Sequence, residues 1–411
     1  MKFINFFLFL FCATIIFSQN IISPVYIEHN SIFTDSLSKE IISYRVPFSN
    51  LLFKKEDDIY KSEFSITFEL YKEKKFVQRE ILNEKVYSNS YEETLSKNSF
   101  FENYFILKLN PGEYTLATRL NLNSTEVQYQ ATKIKIKIDS NYSTKVFNPI
   151  IVQNGKRQSN KFIVANYGNT IPFSPDEYSL LLTLPDSSVK KVTYQIYQFD
   201  KLVKEETASL LSNTNLAIEK KDDKLVVKIT DIKSNVSNFL ITDFNKLLFE
   251  GKAELKIKYN NTVEVKKTLD IKWFYKPNVL NNLAYSIKLL QYVEDERTVT
   301  QLLANDEKNY LKELTSYWNK KYPSNGIKYN YAMAEYYKRA DYAYQNFSSL
   351  NRLDGAERDR GRIYIMYGKP TSVERNYNEM NEVIEVWFYE NLGRTFIFKD
   401  IKGTGKFDLS D

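Results

Sequence analysis

Strict alternation of apolar and polar residues is the feature that most constrains the fold of this 411-residue chain. In TKIKIKID, isoleucines at 134, 136 and 138 alternate with lysines. A period of two with one polar face indicates half-buried antiparallel strands. The same pattern recurs, between turn residues, in SEFSITFELYKE, LNPGEYTLATRLNL, YSLLLTLP, VTYQIYQF and DKLVVKITDI. Strands at this spacing predict β-sandwiches over about residues 20–275.

A break near residues 148–160, NPIIVQNGKRQSN, divides this region. Because 411 residues are too many for one core, we predict two immunoglobulin-like β-sandwiches, residues 19–147 and 148–275. In NPGEYTL, a Pro-Gly turn feeds a tyrosine-bearing strand, which resembles late strands of such modules. A hairpin with an Asn260-Asn261 turn is predicted near the end of the second module. A single larger β domain is the alternative.

From residue 278 onward the apolar spacing becomes helical. Three helices are predicted: one through Leu283, Ile287 and Leu290, one through Leu311, Leu314 and Trp318, and one in KYNYAMAEYYKRADYAYQNF. Strands then return in GRIYIMYG, VIEVWFYE, RTFIFKD and GKFDLS. The predicted fold is therefore mainly β with a C-terminal α+β domain, residues 278–411, made of helices followed by a small antiparallel sheet.

The first residues have the pattern of a secretory signal peptide, predicted to span residues 1–18. Lys2 precedes an uncharged apolar run, Phe3–Phe17, which is followed by small polar residues. An uncleaved anchor is the alternative. Phe11 before Cys12 argues against lipidation, and no later segment is apolar enough to span a bilayer. We therefore expect an exported protein with no transmembrane span after cleavage.

Cys12 is the only cysteine, so the mature chain would contain no disulfide. A large cysteine-free exported protein fits a bacterial periplasm or an outer-membrane-associated location. Lys and Arg (57) exceed Asp and Glu (51) by only six along the whole chain. This small excess is spread out, so we predict no nucleic-acid partner.

A charged stretch at 353–370, LDGAERDRGRIYIMYGKP, surrounds Gly361 with Asp359, Arg360 and Arg362. These side chains could grip an anionic ligand, since guanidinium forks bind anions in a bidentate way. Alternatively they form ion pairs that pin the loop to the helices, with Gly361 in a backbone conformation closed to other residues. We favour the second interpretation, because structural networks also gather charges.

The same stretch resembles the GWxTD domain of exported bacterial proteins of Bacteroidetes type, over roughly residues 278–411. The residues that match the family signature are Gly355, Asp359, Arg360, Gly361, Arg362, Ile363, Tyr364, Ile365, Gly368 and Pro370. Ala356 stands where the family has Trp, and Arg358 where it has Thr. The resemblance implies a location and an architecture rather than an activity.

Few residues carry reactive chemistry. His29 is the only histidine, so Ser-His-Asp and Cys-His catalysis and a histidine metal site are not expected. Asp400 and Asp408 are too far apart for a calcium loop, and a glycine-rich hairpin turn is predicted between them. Gly403-Thr404-Gly405 lacks the strand-to-helix context of a phosphate loop. We predict no catalytic residues, metal or cofactor; a two-carboxylate hydrolase stays open.

The predicted function is a non-enzymatic, exported cell-envelope protein of binding or assembly type, with an envelope protein as partner. The candidate binding residues are Asp359, Arg360, Arg362, Tyr364 and Trp387. A row of tyrosines from Tyr329 to Tyr344 is expected to bury most of its rings and to leave some for partner contact. One alternative is a glycan-binding or carbohydrate-active envelope protein. Another is an accessory subunit of an outer-membrane secretion or motility machine.

Overall fold

The computed structural model describes residues 24–33, 38–123, 125–139, 145–158, 160–260, 263–349 and 354–410. These residues form two compact units. The β-rich unit comprises residues 24–274 with 325–329, and the C-terminal unit comprises residues 275–324 and 330–410. The predicted signal peptide lies outside the described residues. No helix in the described ranges has the length and apolar character needed to cross a membrane.

The first half of the β-rich unit is a two-sheet sandwich. Its elements are β1 (Tyr26–Phe33), β2 (Ser38–Pro47), β3 (Lys54–Glu56), β4 (Ile59–Lys72), β5 (Lys75–Ser88), a short helix α1 (Tyr91–Thr94), β6 (Phe100–Leu107), β7 (Gly112–Leu122), β8 (Gln128–Gln130) and β9 (Ile134–Ile138). One sheet has the order β1-β2-β6. The other has the order β3-β4-β7-β8, and in it β5 also pairs with β4 and β9 with β7.

Alternation along β4 and β7 builds the core between these two sheets, as predicted. Phe64, Ile66 and Phe68 of β4 are buried and pack with Tyr44 of β2 and other side chains of the opposite sheet. The hydroxyl of Tyr114 on β7 donates to the carbonyl of Asn110, at 2.9 Å. A tyrosine that bonds back to the preceding turn is typical of immunoglobulin-like sandwiches.

The second half of the β-rich unit is one long sheet that encloses its own core. Its strands are β10 (Ile150–Gln158), β11 (Lys161–Val164), β12 (Thr170–Pro172), β13 (Tyr178–Leu184), β14 (Lys191–Gln198), β15 (Lys201–Lys221), β16 (Lys224–Ile241), β17 (Gly251–Tyr259) and β18 (Val263–Lys272). Their order is β11-β10-β13-β16-β15-β14-β17-β18-β12. Leu182 of β13 and Leu255 of β17, from distant parts of the sheet, share one buried cluster.

The predicted hairpin near the end of this sheet is present as β17 and β18, with Tyr259 opposite Val263. Asn260 has a positive φ of 48°, which asparagine tolerates in turns. Asn261, the other predicted turn residue, lies outside the described residues.

The two halves of the β-rich unit share a third buried cluster. Ile32 and Ile41 of the β1-β2-β6 sheet pack with Phe162 and Val227 of the long sheet. The β1-β2-β6 sheet is therefore covered on both faces, which explains why nearly every residue of β2 is buried. Each half keeps its own core, and the division at residues 147/148 stays a prediction.

The C-terminal unit contains helices followed by a small antiparallel sheet, as predicted. The helices are α2 (Leu283–Leu289), α3 (Glu296–Leu303), α4 (Tyr310–Lys321), α5 (Tyr331–Asn346) and α6 (Asp359–Tyr367), and the strands are β19 (Ser372–Tyr377), β20 (Val383–Tyr389), β21 (Arg394–Asp400) and β22 (Asp408–Ser410). The strand order is β19-β20-β21-β22. Helices α2, α4 and α5 and strands β20 to β22 occupy their predicted positions, whereas α3 and β19 were not predicted.

The prediction that GRIYIMYG forms a strand is wrong, because these residues belong mainly to helix α6. The Arg362 N–H donates to the Arg358 carbonyl at 2.8 Å, and the Gly368 N–H donates to the Tyr364 carbonyl at 2.7 Å. Ile363 and Ile365 are both buried. Residues two positions apart on a helix lie on nearly opposite sides, so α6 is covered on two sides. The apolar residues that this burial requires alternate along the sequence as they would in a strand.

Candidate functional site

Two glycines allow the charged stretch to pack tightly against itself and against α5. A Cβ added to Gly361 would lie 2.0 Å from the Gly355 carbonyl oxygen and 2.9 Å from the Ala356 Cα. A Cβ added to Gly355 would lie 2.3 Å from the Ala343 carbonyl oxygen. Gly361 is helical, so the predicted special backbone angle is wrong. Close approach of one backbone to another requires glycine here.

Asp354 and Ala356 tie this loop to α2 and to the turn that follows it. The Asp354 carboxylate accepts the Tyr285 hydroxyl at 2.7 Å and the Ala356 N–H at 2.9 Å. The Tyr292 hydroxyl donates to the Ala356 carbonyl at 3.0 Å. Ala356 is fully buried.

Glu385 of β20 is the centre of a buried ionic cluster that includes two of the predicted residues. Its carboxylate accepts the Trp387 indole N–H at 2.7 Å and a guanidinium N–H of Arg375 at 2.8 Å. The guanidinium of Arg360 lies 3.4 Å from both carboxylate oxygens. Arg360 also lies over the Phe407 ring, 3.9 Å from its centroid. We call these residues, Arg360, Arg375, Glu385 and Trp387, the Glu385 cluster.

Glu385 is ionised at neutral pH. Burial alone would raise the pKa of Glu385, but hydrogen bonds from Arg375 and Trp387, and the charge of Arg360, outweigh it and lower that pKa below its usual value. Burial lowers the pKa of Arg360, with Glu385 opposing the shift. An arginine nevertheless stays cationic at neutral pH. The arrangement therefore joins α6 to the sheet through a charged pair largely shielded from solvent.

Asp359 and Arg362 lie apart from this cluster and pair with each other. Their side chains are one helical turn apart, with 3.3 Å between Asp359 Oδ1 and an Arg362 Nη. The second Asp359 oxygen accepts the N–H of Leu409 on β22, at 2.8 Å. Asp359 thus holds the last strand against the first turn of α6. The interpretation that the charges of this stretch form internal pairs agrees with these contacts.

Tyr364 and Trp387, the two predicted aromatic residues, join one ring cluster between α5, α6 and the sheet. Trp387 is 2% exposed and lies edge-on to Phe398 at 4.9 Å between centroids. Tyr364 stacks on Tyr342 of α5 at 4.5 Å with 17° between the ring planes. Tyr342 keeps 46% of its surface exposed. The cluster therefore has a buried end at Trp387 and an open end at Tyr342.

The tyrosines of α5 divide as expected between the core and the surface. Tyr336 and Tyr337 are buried, and their hydroxyls donate to the Leu289 and Ser286 carbonyls of α2. Tyr331 and Tyr342 are exposed. Tyr329 belongs to the β-rich unit, where it lies edge-on to Trp273 at 5.5 Å. The row therefore does not form one continuous binding surface.

Strand β19 is the most exposed element near the cluster. All six of its residues are exposed, and in the described part of the chain its only paired strand is β20. Val373, Arg375 and Tyr377 lie opposite Trp387, Glu385 and Val383, on the face of the sheet that carries the Glu385 cluster. The turn after β19 places Met380 at its tip, 81% exposed.

Sequence reasoning missed Glu385 and Arg375. Glu385 alternates with Trp387 and Tyr389 in VIEVWFYE, so it falls on the apolar face of its strand. An acid on that face needs a cationic partner, and this signal could have linked it to Arg360. Arg375 carried no such signal, since SVERNY has no clear alternation.

The remaining candidates form local structure. His29 Nε2 and the Ser31 hydroxyl each lie 2.6 Å from Oε2 of Glu40, so these contacts place Glu40 between the serine and the histidine. The Asp400 carboxylate accepts the Thr404 and Gly405 N–H groups, at 3.1 and 2.7 Å. It thereby closes the glycine-rich turn predicted between β21 and β22. Within the described residues, no group of three or more His, Cys, Asp or Glu side chains is placed to hold a metal ion.

Comparison with known proteins gives one family. Residues 260–407 match the model of the GWxTD domain, from the last hairpin of the β-rich unit to the turn before β22. The match begins earlier than residue 278, where the domain was predicted to start. No curated protein matches the chain.

Proposed function

Since residues 260–407 match the GWxTD domain, we propose that the chain is an exported cell-envelope protein that works by binding and assembly. In this proposal the β-rich unit is a spacer, and the C-terminal unit contacts a protein partner. The predicted signal peptide supports export.

The observation that carries the proposal is the apolar surface at the β19–β20 hairpin. Val373, Tyr377 and Met380 are 51%, 68% and 81% exposed within a span of eight residues. Exposed aromatic and methionine side chains are typical of protein interfaces. We call these three residues the hairpin surface.

Hydrogen bonds of Asn378 brace the hairpin turn, which favours a preformed contact surface. The Asn378 carboxamide oxygen accepts the Met380 and Glu382 N–H groups, at 3.1 and 2.8 Å. The Asn378 amide donates to the Glu382 carboxylate at 2.7 Å. A preorganised surface loses less conformational entropy on binding than a flexible one.

Export is tested by sequencing the N-terminus of the mature protein and by fractionating the native host. We expect cleavage near Ser18 or Gln19 and recovery of the protein in the envelope fraction. A full-length chain in the cytosol would refute the export part of the proposal.

Partner binding is tested by chemical crosslinking of an affinity-tagged chain in the native envelope, followed by purification. A Tyr377→Ser, Met380→Ser variant should lose the crosslinked protein. Leu392→Ser is the matched control, because Leu392 is 52% exposed in the same unit and precedes β21. If the wild-type chain crosslinks to no protein, or if the double variant and the control behave alike, this proposal fails. A partner from a secretion or motility machine would support the accessory-subunit version.

A glycan-binding function is the second candidate, and the exposed ring of Tyr342 is its specific support. One face of this ring is stacked on Tyr364, and the side chain is 46% exposed. Sugars bind to such aromatic platforms. A glycan array on the mature chain, repeated with Tyr342→Ala, tests it. Binding that is lost in the variant would favour this function over protein assembly.

A further inference from the structure

The free edge of β19 exposes backbone groups that are ready to pair with another strand. The Asn378 N–H donates to the Glu382 carbonyl at 3.1 Å, which fixes the alternation of hydrogen bonds between β19 and β20. Ser372, Glu374 and Asn376 therefore direct their N–H and C=O groups toward β20. Val373, Arg375 and Tyr377 direct theirs away from it, to an edge that no other described strand covers.

The charges are unequal on the face of the sheet that carries the Glu385 cluster, whereas Glu374 lies on the opposite face. Arg360 and Arg375 both approach Glu385, so two guanidinium groups share one carboxylate. Asp400 also lies near Arg360, but its oxygens accept two backbone N–H groups of its own turn. The Arg375 side chain is 58% exposed, while that of Glu385 is 7% exposed. A carboxylate approaching from the free edge would meet the exposed side of Arg375.

A second copy of this chain does not satisfy the edge. Two identical antiparallel strands in one sheet are related by a twofold axis normal to the sheet. Residues opposite each other must both direct their backbone groups toward the partner strand or both away from it, so their positions differ by an even number. The axis therefore passes through one residue, which faces its own copy. An axis at Glu374 sets two glutamates opposite each other, and an axis at Arg375 sets two arginines opposite each other. Like charges directly opposite are destabilising. Other axes shorten the paired segment of this six-residue strand.

We infer that β19 binds an extended segment of a different protein by strand addition, with an acidic residue of that segment opposite Arg375. Apolar residues two positions before and after the acid would lie opposite Val373 and Tyr377, on the same face. The order apolar, acidic, apolar at alternate positions is the same in both chain directions. The segment could therefore add parallel or antiparallel to β19. The inference rests on the proposed function and specifies how the partner is held.

The probe is an acetylated and amidated peptide, Thr-Val-Thr-Glu-Thr-Val-Thr, titrated into the full mature chain. Its matched control carries Lys in place of Glu. We expect the acidic peptide to bind about threefold or more tightly, since opposite charges attract and like charges repel across paired strands. Amide hydrogen exchange should slow at Val373, Arg375 and Tyr377, and it should not change at Glu374 and Asn376.

Two variants separate the backbone contribution from the charge contribution. Val373→Pro removes an N–H that faces the free edge, and it should abolish binding; Val373→Thr keeps that N–H and should retain binding. Arg375→Glu should reverse the preference, so that the lysine peptide binds more tightly. Thermal unfolding of each variant confirms that the fold is intact.

Three outcomes would overturn the inference: no binding of the acidic peptide, equal binding by Val373→Pro and Val373→Thr, or an unchanged charge preference in Arg375→Glu. A glycan that binds at this edge and competes with the peptide would also contradict it. If the peptide behaves as expected while the envelope yields no crosslinked protein, strand addition stands and the proposed function fails. If Val373→Pro and Val373→Thr capture a partner equally well in the envelope, the proposed function stands and strand addition fails.

Discussion

Glu385→Gln is the substitution that tests the Glu385 cluster most sharply. It keeps an acceptor for the Trp387 indole but removes the charge that faces Arg360. Arg360 would then be a buried cation with no carboxylate in contact, beside the ring of Phe407. Breaking a buried ion pair by removing one partner costs about 3–5 kcal/mol. Because Arg375 is more than half exposed and can be rehydrated, we expect a loss near the lower limit, about 3 kcal/mol.

The assay is urea unfolding followed by tryptophan fluorescence. Two of the three tryptophans, Trp318 and Trp387, lie in the C-terminal unit, so its transition dominates the signal. Adding Arg360→Met to Glu385→Gln removes the unpaired cation. The double variant should therefore lose about 2 kcal/mol less than the sum of the two single losses.

Glu390→Gln is the matched control, because Glu390 is an exposed acid at the end of the same strand. It should change the free energy of unfolding by no more than about 0.5 kcal/mol. A Glu385→Gln variant as stable as this control would refute the reasoning that Glu385 holds a buried cation. So would strict additivity in the double-variant cycle.

Three further outcomes are expected. Gly361→Ala should lower the free energy of unfolding in urea by about 3 kcal/mol or more, since its Cβ would lie 2.0 Å from a carbonyl oxygen. The control Gly393→Ala, where φ is 58° and no atom lies near the added Cβ, should cost about 1 kcal/mol. Equal losses in the two variants would contradict this reasoning. The lowered pKa of Glu385 means that its contribution is complete above the unfolded value, 4.5, and is lost as the pH falls through the folded value. Acid titration of tryptophan fluorescence should show this loss in the wild type and a smaller one in Glu385→Gln. Burial and the nearby charge of Lys145 lower the pKa of Lys267 to about 8. NMR of the protein with methylated lysines should therefore show one lysine that titrates near pH 8. The Lys267→Arg variant should lack that signal.

Much of the fold follows from the sequence where one physical rule dominates. In β4 one face is buried and the other is wet, so alternation alone identifies the strand. The helices α2, α4 and α5 likewise bury one stripe each. Strand β15 does not show this alternation along its whole length, because its register against β16 shifts several times. Strand β19 lacks the alternation for another reason: all of its residues are exposed, so it needs no apolar face.

The candidate site could be predicted only in part. The charges around Gly361 were visible in the sequence, and their use in internal pairs follows from the cost of burying unpaired ions. Helix α6 was mistaken for a strand because burial on two sides of a short helix gives the same alternation. Glu385 and Arg375 enter the site through cross-strand pairing, which joins residues that no local pattern connects.

Site-specific photo-crosslinking in the native envelope tests the central claim, that the β19–β20 hairpin contacts a protein partner. A photoreactive phenylalanine derivative replaces Tyr377 in one strain and Leu392 in another, since both side chains are well exposed in the C-terminal unit. We expect a discrete crosslinked protein from position 377 and none from position 392. Crosslinking that is absent at position 377, or equal at the two positions, would contradict it.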